Sequence, residues 1–280
     1  MRTLQTIIPS IPASDGAGVK LKRSIGSYQG AWLDPFLMLD EFFSDDPKDY
    51  LAGFPSHPHR GFETVTYMLD GHLLHEDHLG NRGDLLPGSV QWMTAGRGVI
   101  HSEMPQQTAG RMRGFQLWIN LPSAEKMKPA SYRDIAPHEI PVIDLASGGN
   151  VKIIAGKIVL DGAEHAGPIQ GLTTDPLYLD VRLARGENFS VAVSANYTTF
   201  LYPYEGSLTI GDKTLATQSV GVLSMGSDMS VVAKEATRFL LLSGKPLREP
   251  IVQYGPFVMN SRQEIEQAVR DFQSGKLAAP

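Results

Sequence analysis

The chain has 280 residues, of which 42% are hydrophobic and 20% are charged, and its formal net charge is -5. This length allows one large domain or two of roughly 100–150 residues, and the negative charge argues against direct binding to nucleic acid. The sequence contains no cysteine, which excludes disulfides, thiolate-bound zinc, iron–sulfur clusters and a cysteine nucleophile. Any bound metal must therefore have nitrogen and oxygen ligands.

The segment Met1–Ser10 has a single Arg and lacks the long apolar stretch of a secretory signal. Elsewhere, no window approaches the roughly 20 consecutive apolar residues that a membrane-spanning helix requires. We therefore expect a cytoplasmic protein without membrane association, and we expect it to be a monomer.

Short apolar runs rich in Val, Ile, Thr and Tyr recur along the chain, separated by turn-forming residues among its 28 Gly and 19 Pro. Runs of this kind predict an all-β protein, either a sandwich or a barrel. The clearest predicted strands are Glu63–Leu69, Ser89–Thr94, Gly114–Leu121, Val151–Val159, Phe189–Val193, Thr199–Tyr204 and Arg238–Leu242.

A break in this pattern falls within the proline-containing segment 123–150, which separates two strand-rich blocks. The blocks share a weak similarity between Tyr67–Gly71 and Tyr202–Gly206, and two copies of one β-barrel unit would explain it. We therefore predict an N-terminal domain over residues 1–135 and a C-terminal domain over residues 136–280.

One helix is predicted near the end of the chain. Ser261 and Glu264 have the spacing of a capping box, in which each side chain satisfies a backbone donor of the first turn. Gly275 is a plausible stop for this helix. The apolar residues between them recur at helical spacing and form one stripe: Ile265, Ala268, Val269 and Phe272.

Two short polar pairs define the candidate site. In an extended segment, side chains at i and i+2 point to the same face, so His57 and His59 could share a cation. Pro58 between them predicts an edge strand or a bulge. His101 and Glu103 have the same spacing. If the two pairs face each other, they form a site for one divalent metal with three imidazoles and one carboxylate as ligands, and this is the site we predict. An isolated His-x-His is more often a surface pair, but two such pairs in strand-like contexts favour the metal site.

An octahedral ion held by these four side chains keeps two positions for water, oxygen or substrate, as in iron centres with two histidines and one carboxylate. Fe(II) is therefore the expected ion, and Cu, Ni, Mn, Co and Zn are alternatives. Glu63 and Gln91 are ambiguous from the sequence. For Glu63 we favour a hydrogen bond that supports a ligand imidazole, although a ligand or a packing role is also open.

Three further histidines, His72, His75 and His78, are predicted to lie outside the site. Their spacing of three does not suit one face of a strand, and charged residues surround them. We interpret this segment as a solvated hairpin that turns at Gly80 and Asn81.

The most informative runs of the sequence are His57–Thr64, Leu79–Gly83, Val90–Pro105, Gly114–Pro122 and Gly255–Ser261 with the helix that follows. These runs resemble the pirin family of the cupin superfamily. The resemblance implies two β-barrels packed face to face, a fold in which the C-terminal barrel lacks metal ligands and carries the C-terminal helix. It places the ligands on His57, His59, His101 and Glu103.

The resemblance also implies an enzyme, because some pirin-like proteins are quercetin 2,3-dioxygenases that cleave flavonols with O2. A cation lowers the pKa of a bound hydroxyl, and Glu103 is then the candidate base. Candidate apolar wall residues, for which core packing is equally open, are Phe54, Met68, Met93 and Trp118.

The alternative is a metal- or redox-sensing protein that regulates a protein partner, as pirins of animal nuclei resemble transcription co-regulators. The sequence lacks a Lys/Arg cluster of the nuclear type, which slightly favours the enzyme or a bacterial role; Lys20–Arg23 is too short to count as one. A third possibility is a metalloprotein whose substrate is another enolic or phenolic compound.

Overall fold

The computed structural model describes residues 1–27, 32–146 and 148–278, which form mainly antiparallel strands. The strands in chain order are β1 (Leu4–Pro9), β2 (Ile11–Asp15), β3 (Val19–Ile25), β4 (Phe36–Ser44), β5 (Phe54–His59), β6 (Phe62–Asp70), β7 (Leu73–Asp77), β8 (Arg82–Leu85), β9 (Val90–Thr94), β10 (Val99–Pro105), β11 (Met112–Asn120), β12 (Ser131–Ile135), β13 (Val142–Leu145), β14 (Gly149–Ala155), β15 (Lys157–Leu160), β16 (Ala163–Ala166), β17 (Leu177–Leu183), β18 (Asn188–Ala192), β19 (Thr198–Glu205), β20 (Leu208–Ile210), β21 (Lys213–Leu215), β22 (Ser219–Leu223), β23 (Asp228–Ala233), β24 (Thr237–Gly244), β25 (Val252–Tyr254) and β26 (Phe257–Met259).

Helical structure is sparse. Within the described residues there is one α-helix, α1 (Arg262–Gln273), and no helix there has the length and apolar character needed to cross a membrane. The remaining helical turns are three short 3-10 segments, Pro47–Asp49, Ser123–Glu125 and Pro137–Glu139.

The chain divides into two compact units. The N-terminal unit comprises Ile11–Trp32, Phe36–Pro137 and Leu247–Pro280, and the C-terminal unit comprises Met1–Ser10, Leu33–Pro35 and His138–Pro246.

Each unit repeats one architecture. In the N-terminal unit, a seven-stranded sheet (β12-β9-β6-β11-β4-β3-β2) accompanies a four-stranded sheet (β5-β10-β7-β8) and the hairpin β25-β26. The C-terminal unit has a seven-stranded sheet (β1-β22-β19-β24-β17-β14-β13), a four-stranded sheet (β18-β23-β20-β21) and the hairpin β15-β16. This duplication confirms the predicted all-β class built from two related units.

The units differ from the predicted division at 135/136 because both chain ends cross over. β1, at the start of the chain, pairs with β22 of the C-terminal unit, so its backbone hydrogen bonds are made to residues more than 200 positions later in the sequence. At the other end, α1 packs its buried residues against β26 of the N-terminal unit. Asp271 of α1 also accepts from Arg60 at 2.7 Å, and Lys126 donates to the Val258 carbonyl at 2.9 Å.

The predicted elements are largely present, with one interruption. The predicted strand Val151–Val159 is split into β14 and β15 at Gly156, whose φ of +80° favours glycine. A Cβ there would lie 2.7 Å from the Pro176 carbonyl oxygen. The helix starts as predicted, because Ser261 Oγ accepts from the Glu264 backbone N–H at 3.3 Å.

The interiors of the two units are filled differently. The C-terminal unit has one continuous apolar cluster that includes Leu179, Val181, Phe239 and Leu241, all with no exposed surface. The interior of the N-terminal unit instead holds buried polar side chains and a pocket of about 570 Å³. The candidate site therefore lies in the N-terminal unit.

Candidate metal centre

The two polar pairs meet because β5 and β10 are antiparallel neighbours. His57 is directly opposite His101, and the register shifts between His101 and Glu103, where β5 has one extra residue. β5 is the edge strand of its sheet, which confirms the edge position predicted from Pro58. A shift of this kind re-aims side chains on the bulged strand.

The three imidazoles form a tight cluster. The ring centroids of His57 and His101 are 4.4 Å apart, those of His57 and His59 4.7 Å, and those of His59 and His101 4.9 Å. One nitrogen of each ring lies within 4.8 Å of the others, so the three side chains could hold a metal ion. His59 and His101 are buried, whereas His57 is half-buried.

The electrostatic state of the cluster suits a cation. Burial lowers the pKa of His59 and of His101 well below the ordinary value, and the neighbouring imidazoles lower it further. Both rings are therefore neutral at neutral pH, which is the form that binds metal. His57 Nδ1 lies 2.8 Å from the Pro55 carbonyl oxygen; it must donate to that oxygen, which leaves Nε2 as a free acceptor.

Two ring nitrogens in the cluster lack a hydrogen-bond partner among the described residues, His59 Nδ1 and His101 Nε2, and both are buried. A buried polar atom without a partner costs about 1–3 kcal/mol, and a metal ion beside the rings would supply the missing interaction. The residues present therefore fit a bound metal.

Glu103 lies on the same strand as His101 but outside the tight group of three imidazoles. Its carboxylate is 2% exposed and lines the same pocket. Thr66 Oγ1 donates to Oε1 at 2.8 Å, and Gln116 Nε2 donates to Oε2 at 3.1 Å. Two neutral donors thus hold a buried carboxylate beside the imidazoles.

The pocket next to the cluster combines an apolar wall with a polar one. His59 makes edge contacts with Phe62 and Trp118, at centroid distances of 5.2 and 5.3 Å. Of the four predicted wall residues, Phe54 and Trp118 line the pocket. Met68 and Met93 do not; they pack in separate apolar clusters.

On the polar wall, Arg23 binds Asp40 through two hydrogen bonds of 2.8 and 2.7 Å. Asp40 is 3% exposed, and burial raises the pKa of its carboxyl group to about 6 although Arg23 opposes that rise. Gln116 is opposite Asp40 in the register of β11 and β4. The polar wall therefore continues from this ion pair to Glu103.

The hairpin interpretation was wrong for one histidine. The hairpin β7-β8 turns at residues 78–81 as predicted, and His78 is exposed. His75, however, has no exposed surface, and its Nδ1 lies 3.2 Å from His101 Nδ1. β7 pairs with β10 on the side away from β5, so it turns His75 toward the cluster.

Glu63 and Gln91, which were ambiguous from the sequence, bond to residues other than the candidate ligand histidines. Glu63 accepts from Thr94 Oγ1 at 2.7 Å, and burial raises the pKa of its carboxyl group. It does not line the pocket, because Thr66, an odd number of residues away on β6, faces Glu103 instead. Gln91 donates to Asp134 Oδ1 at 2.7 Å.

Comparison with known proteins places the chain in a family. The family model described as Pirin matches residues 18–119, and the one described as Pirin C-terminal cupin domain matches residues 178–278. A Pseudomonas aeruginosa protein provisionally named quercetin 2,3-dioxygenase is 54% identical over 270 residues, 95% of each chain. This chain belongs to the pirin family.

Solved structures agree with the pirin assignment. A crystal structure of quercetin 2,3-dioxygenase from Acinetobacter baumannii superposes with a TM-score of 0.89 at 36% identity, covering 99% of this chain and 98% of that one. A bacterial pirin from Escherichia coli in complex with nickel(II) has a TM-score of 0.63 at 21% identity, covering 88% and 99%, and shows the fold alone. The pirin fold of two cupin domains is thereby confirmed.

Sequence reasoning about this pirin missed His75 and the Arg23–Asp40 pair. His75 lies two residues after Leu73, so the two side chains share one face of β7, and both are buried. This period-2 spacing was the available sequence signal. Arg23 and Asp40 carried no local signal, because they lie on different strands and meet only through the pairing of β3 with β4.

Proposed function

We propose that this chain binds one divalent metal through His57, His59, His101 and Glu103 and cleaves flavonols such as quercetin with O2. The observation that carries the proposal is the pocket of about 570 Å³. It is lined by His57, His59 and Glu103, and it is large enough for a flat aromatic ligand. A site that held metal only for stability would be closed by protein ligands and would need no such opening.

The donor set supports a transition metal. Three neutral imidazoles and one carboxylate suit Fe(II), and the same ligands accept Ni, Co, Cu, Mn or Zn. A bacterial pirin of this fold was solved in complex with nickel(II), which supports metal binding by a protein of this fold without deciding the identity of the metal here. Metal analysis of protein purified without chelators tests this part of the proposal.

Residues of the chain have separable roles in the proposed reaction. When bound, the metal acts as a Lewis acid that lowers the pKa of a coordinated flavonol hydroxyl. Glu103 accepts the proton of that hydroxyl, since its carboxylate faces the pocket and is oriented by Thr66 and Gln116. Phe54 and Trp118 contact the flat rings, while Arg23 and Asp40 offer hydrogen bonds to phenolic groups.

Oxygen uptake by metal-loaded protein in the presence of quercetin tests the proposal. We expect consumption that requires both metal and quercetin. Glu103→Gln keeps the size and an oxygen atom but removes the charge and the basicity, so turnover should fall about 100-fold or more, while metal content falls only modestly. Glu63→Gln is the matched control, because Glu63 is an equally buried carboxylate that does not line the pocket.

Unchanged turnover in fully metallated Glu103→Gln protein would exclude Glu103 as the base. If fully metallated wild-type protein consumes no oxygen with any flavonol, the enzyme proposal fails. The alternative, a metal- or redox-sensing regulator of a protein partner, would then be tested by capturing partners with the protein in two oxidation states of its metal.

A further inference from the structure

His75 is a fourth buried imidazole beside the three candidate ligands. It lies on β7, opposite Glu103 in the register with β10, and it has no exposed surface. Its ring centroid is 4.9 Å from that of His101, and the two Nδ1 atoms are 3.2 Å apart. At this distance the two nitrogens are hydrogen-bonded, so one of them must donate and the other must accept.

Two neutral imidazoles can share this hydrogen in two ways, with different consequences for the metal. If His75 donates, the hydrogen of His101 must be on Nε2, and that nitrogen cannot bind a cation. If His101 donates from Nδ1, its Nε2 has a free lone pair. His101 Nε2 is buried without a partner among the described residues, as are His59 Nδ1 and His75 Nε2. Because His101 belongs to the group of three imidazoles that could hold a metal and its Nδ1 faces His75, its Nε2 is the atom available for a ligand.

We infer that His75 is a positioning residue that holds His101 in the tautomer with its hydrogen on Nδ1, leaving Nε2 for the metal. In proteins, metal-binding histidines usually donate their second N–H to a carboxylate, a carbonyl or water. Here a neutral imidazole is the acceptor, so the support adds no negative charge to the site. The inference rests on the metal site of the proposed function but not on the flavonol reaction.

A pair of substitutions separates this role from packing. His75→Phe keeps a planar ring but removes the acceptor, whereas His75→Asn places an amide oxygen where Nδ1 stands. We expect Zn(II) affinity, measured by chelator competition, to fall about 10–100-fold in His75→Phe, the usual effect of losing such a partner. His75→Asn should stay within about 3-fold of wild type, and His72→Phe on the same hairpin is the control.

Two results of this comparison would overturn the inference. Folded His75→Phe protein with wild-type Zn(II) affinity would show that the acceptor is dispensable. Equal losses in His75→Phe and His75→Asn would show that His75 acts by packing or as a ligand. If wild type and control bind Zn(II) but Fe(II)-loaded wild-type protein consumes no oxygen with any flavonol, the proposed reaction fails while this inference is still decided by the Zn(II) affinities.

The wild-type protein provides a test that does not depend on folded variants. In ¹⁵N-labelled, zinc-loaded protein we expect the hydrogen of His101 on Nδ1 and a scalar coupling across the hydrogen bond to His75 Nδ1. A zinc-bound nitrogen signal from His75, or a hydrogen on Nε2 of His101, would contradict the inference.

Discussion

The metal-free protein should lose stability as the pH falls below the ordinary histidine pKa of about 6.5. His59 and His101 are 3% and 2% exposed, and burial lowers the pKa of each imidazole well below that value. Below this pH the unfolded chain therefore binds two protons that the folded chain does not bind. Because the unfolded state holds more protons, the free energy of unfolding falls as the pH falls.

The expected size follows from the linkage relation. At a pH of about 5.5, one unit below the unfolded pKa, each imidazole costs about 1.4 kcal/mol, and the pair costs about 3 kcal/mol. Asp40 acts in the opposite direction, because its folded pKa of about 6 lies above the unfolded value. The stabilisation from protonated Asp40 is present at a pH of about 5.5 and is lost as the pH rises through 6. Between a pH of about 7.5 and about 5.5 it therefore offsets about 1 kcal/mol of the loss caused by the two histidines.

Urea unfolding of chelator-treated protein, followed by tryptophan fluorescence at a pH of about 7.5 and about 5.5, measures this effect. The double variant His59→Leu/His101→Leu removes both imidazoles and retains Asp40. The change in unfolding free energy between the two pH values should therefore differ between the two proteins by the contribution of these histidines. His138→Gln, at an exposed position, is the control. An equal change in the wild type and the double variant would refute the reasoning.

Three further predictions concern the metal, a buried lysine and the helix. His57→Ala should abolish stoichiometric metal in elemental analysis, whereas His78→Ala, at an exposed position, should not. Burial lowers the pKa of Lys126 to about 7, so its unfolded state binds more protons above that pH. Wild type should therefore gain about 1.4 kcal/mol over Lys126→Met in urea unfolding for each pH unit from about 7 to 10. Ser261→Ala should cost about 1 kcal/mol in thermal unfolding, because Glu264 loses the cap of its backbone N–H.

The spacing within each polar pair could be interpreted without the fold. Residues at i and i+2 of any strand share a face, so the sequence alone predicted that His57 would lie beside His59 and that His101 and Glu103 would point together. The lack of cysteine likewise restricted ligands to nitrogen and oxygen. These inferences depend on local geometry and composition, which do not change with the arrangement of distant segments.

Long-range pairing decided what the sequence could not. The prediction for His75 was wrong because exposure depends on the neighbour of β7, and only the pairing with β10 turns that side chain toward His101. The faces of Glu63 and Thr66 were equally uncertain, since a single bulge inverts the parity of a strand.

The sequence by itself determined the all-β class, the helix cap at Ser261, and the same-face spacing within each polar pair. Only the tertiary structure decided which unit contains each chain end, which polar residues line the pocket, and which imidazole supports His101. The physical reason is that local sequence sets the repeat of a strand and the faces of its side chains, whereas strand order and register bring residues far apart in sequence into contact.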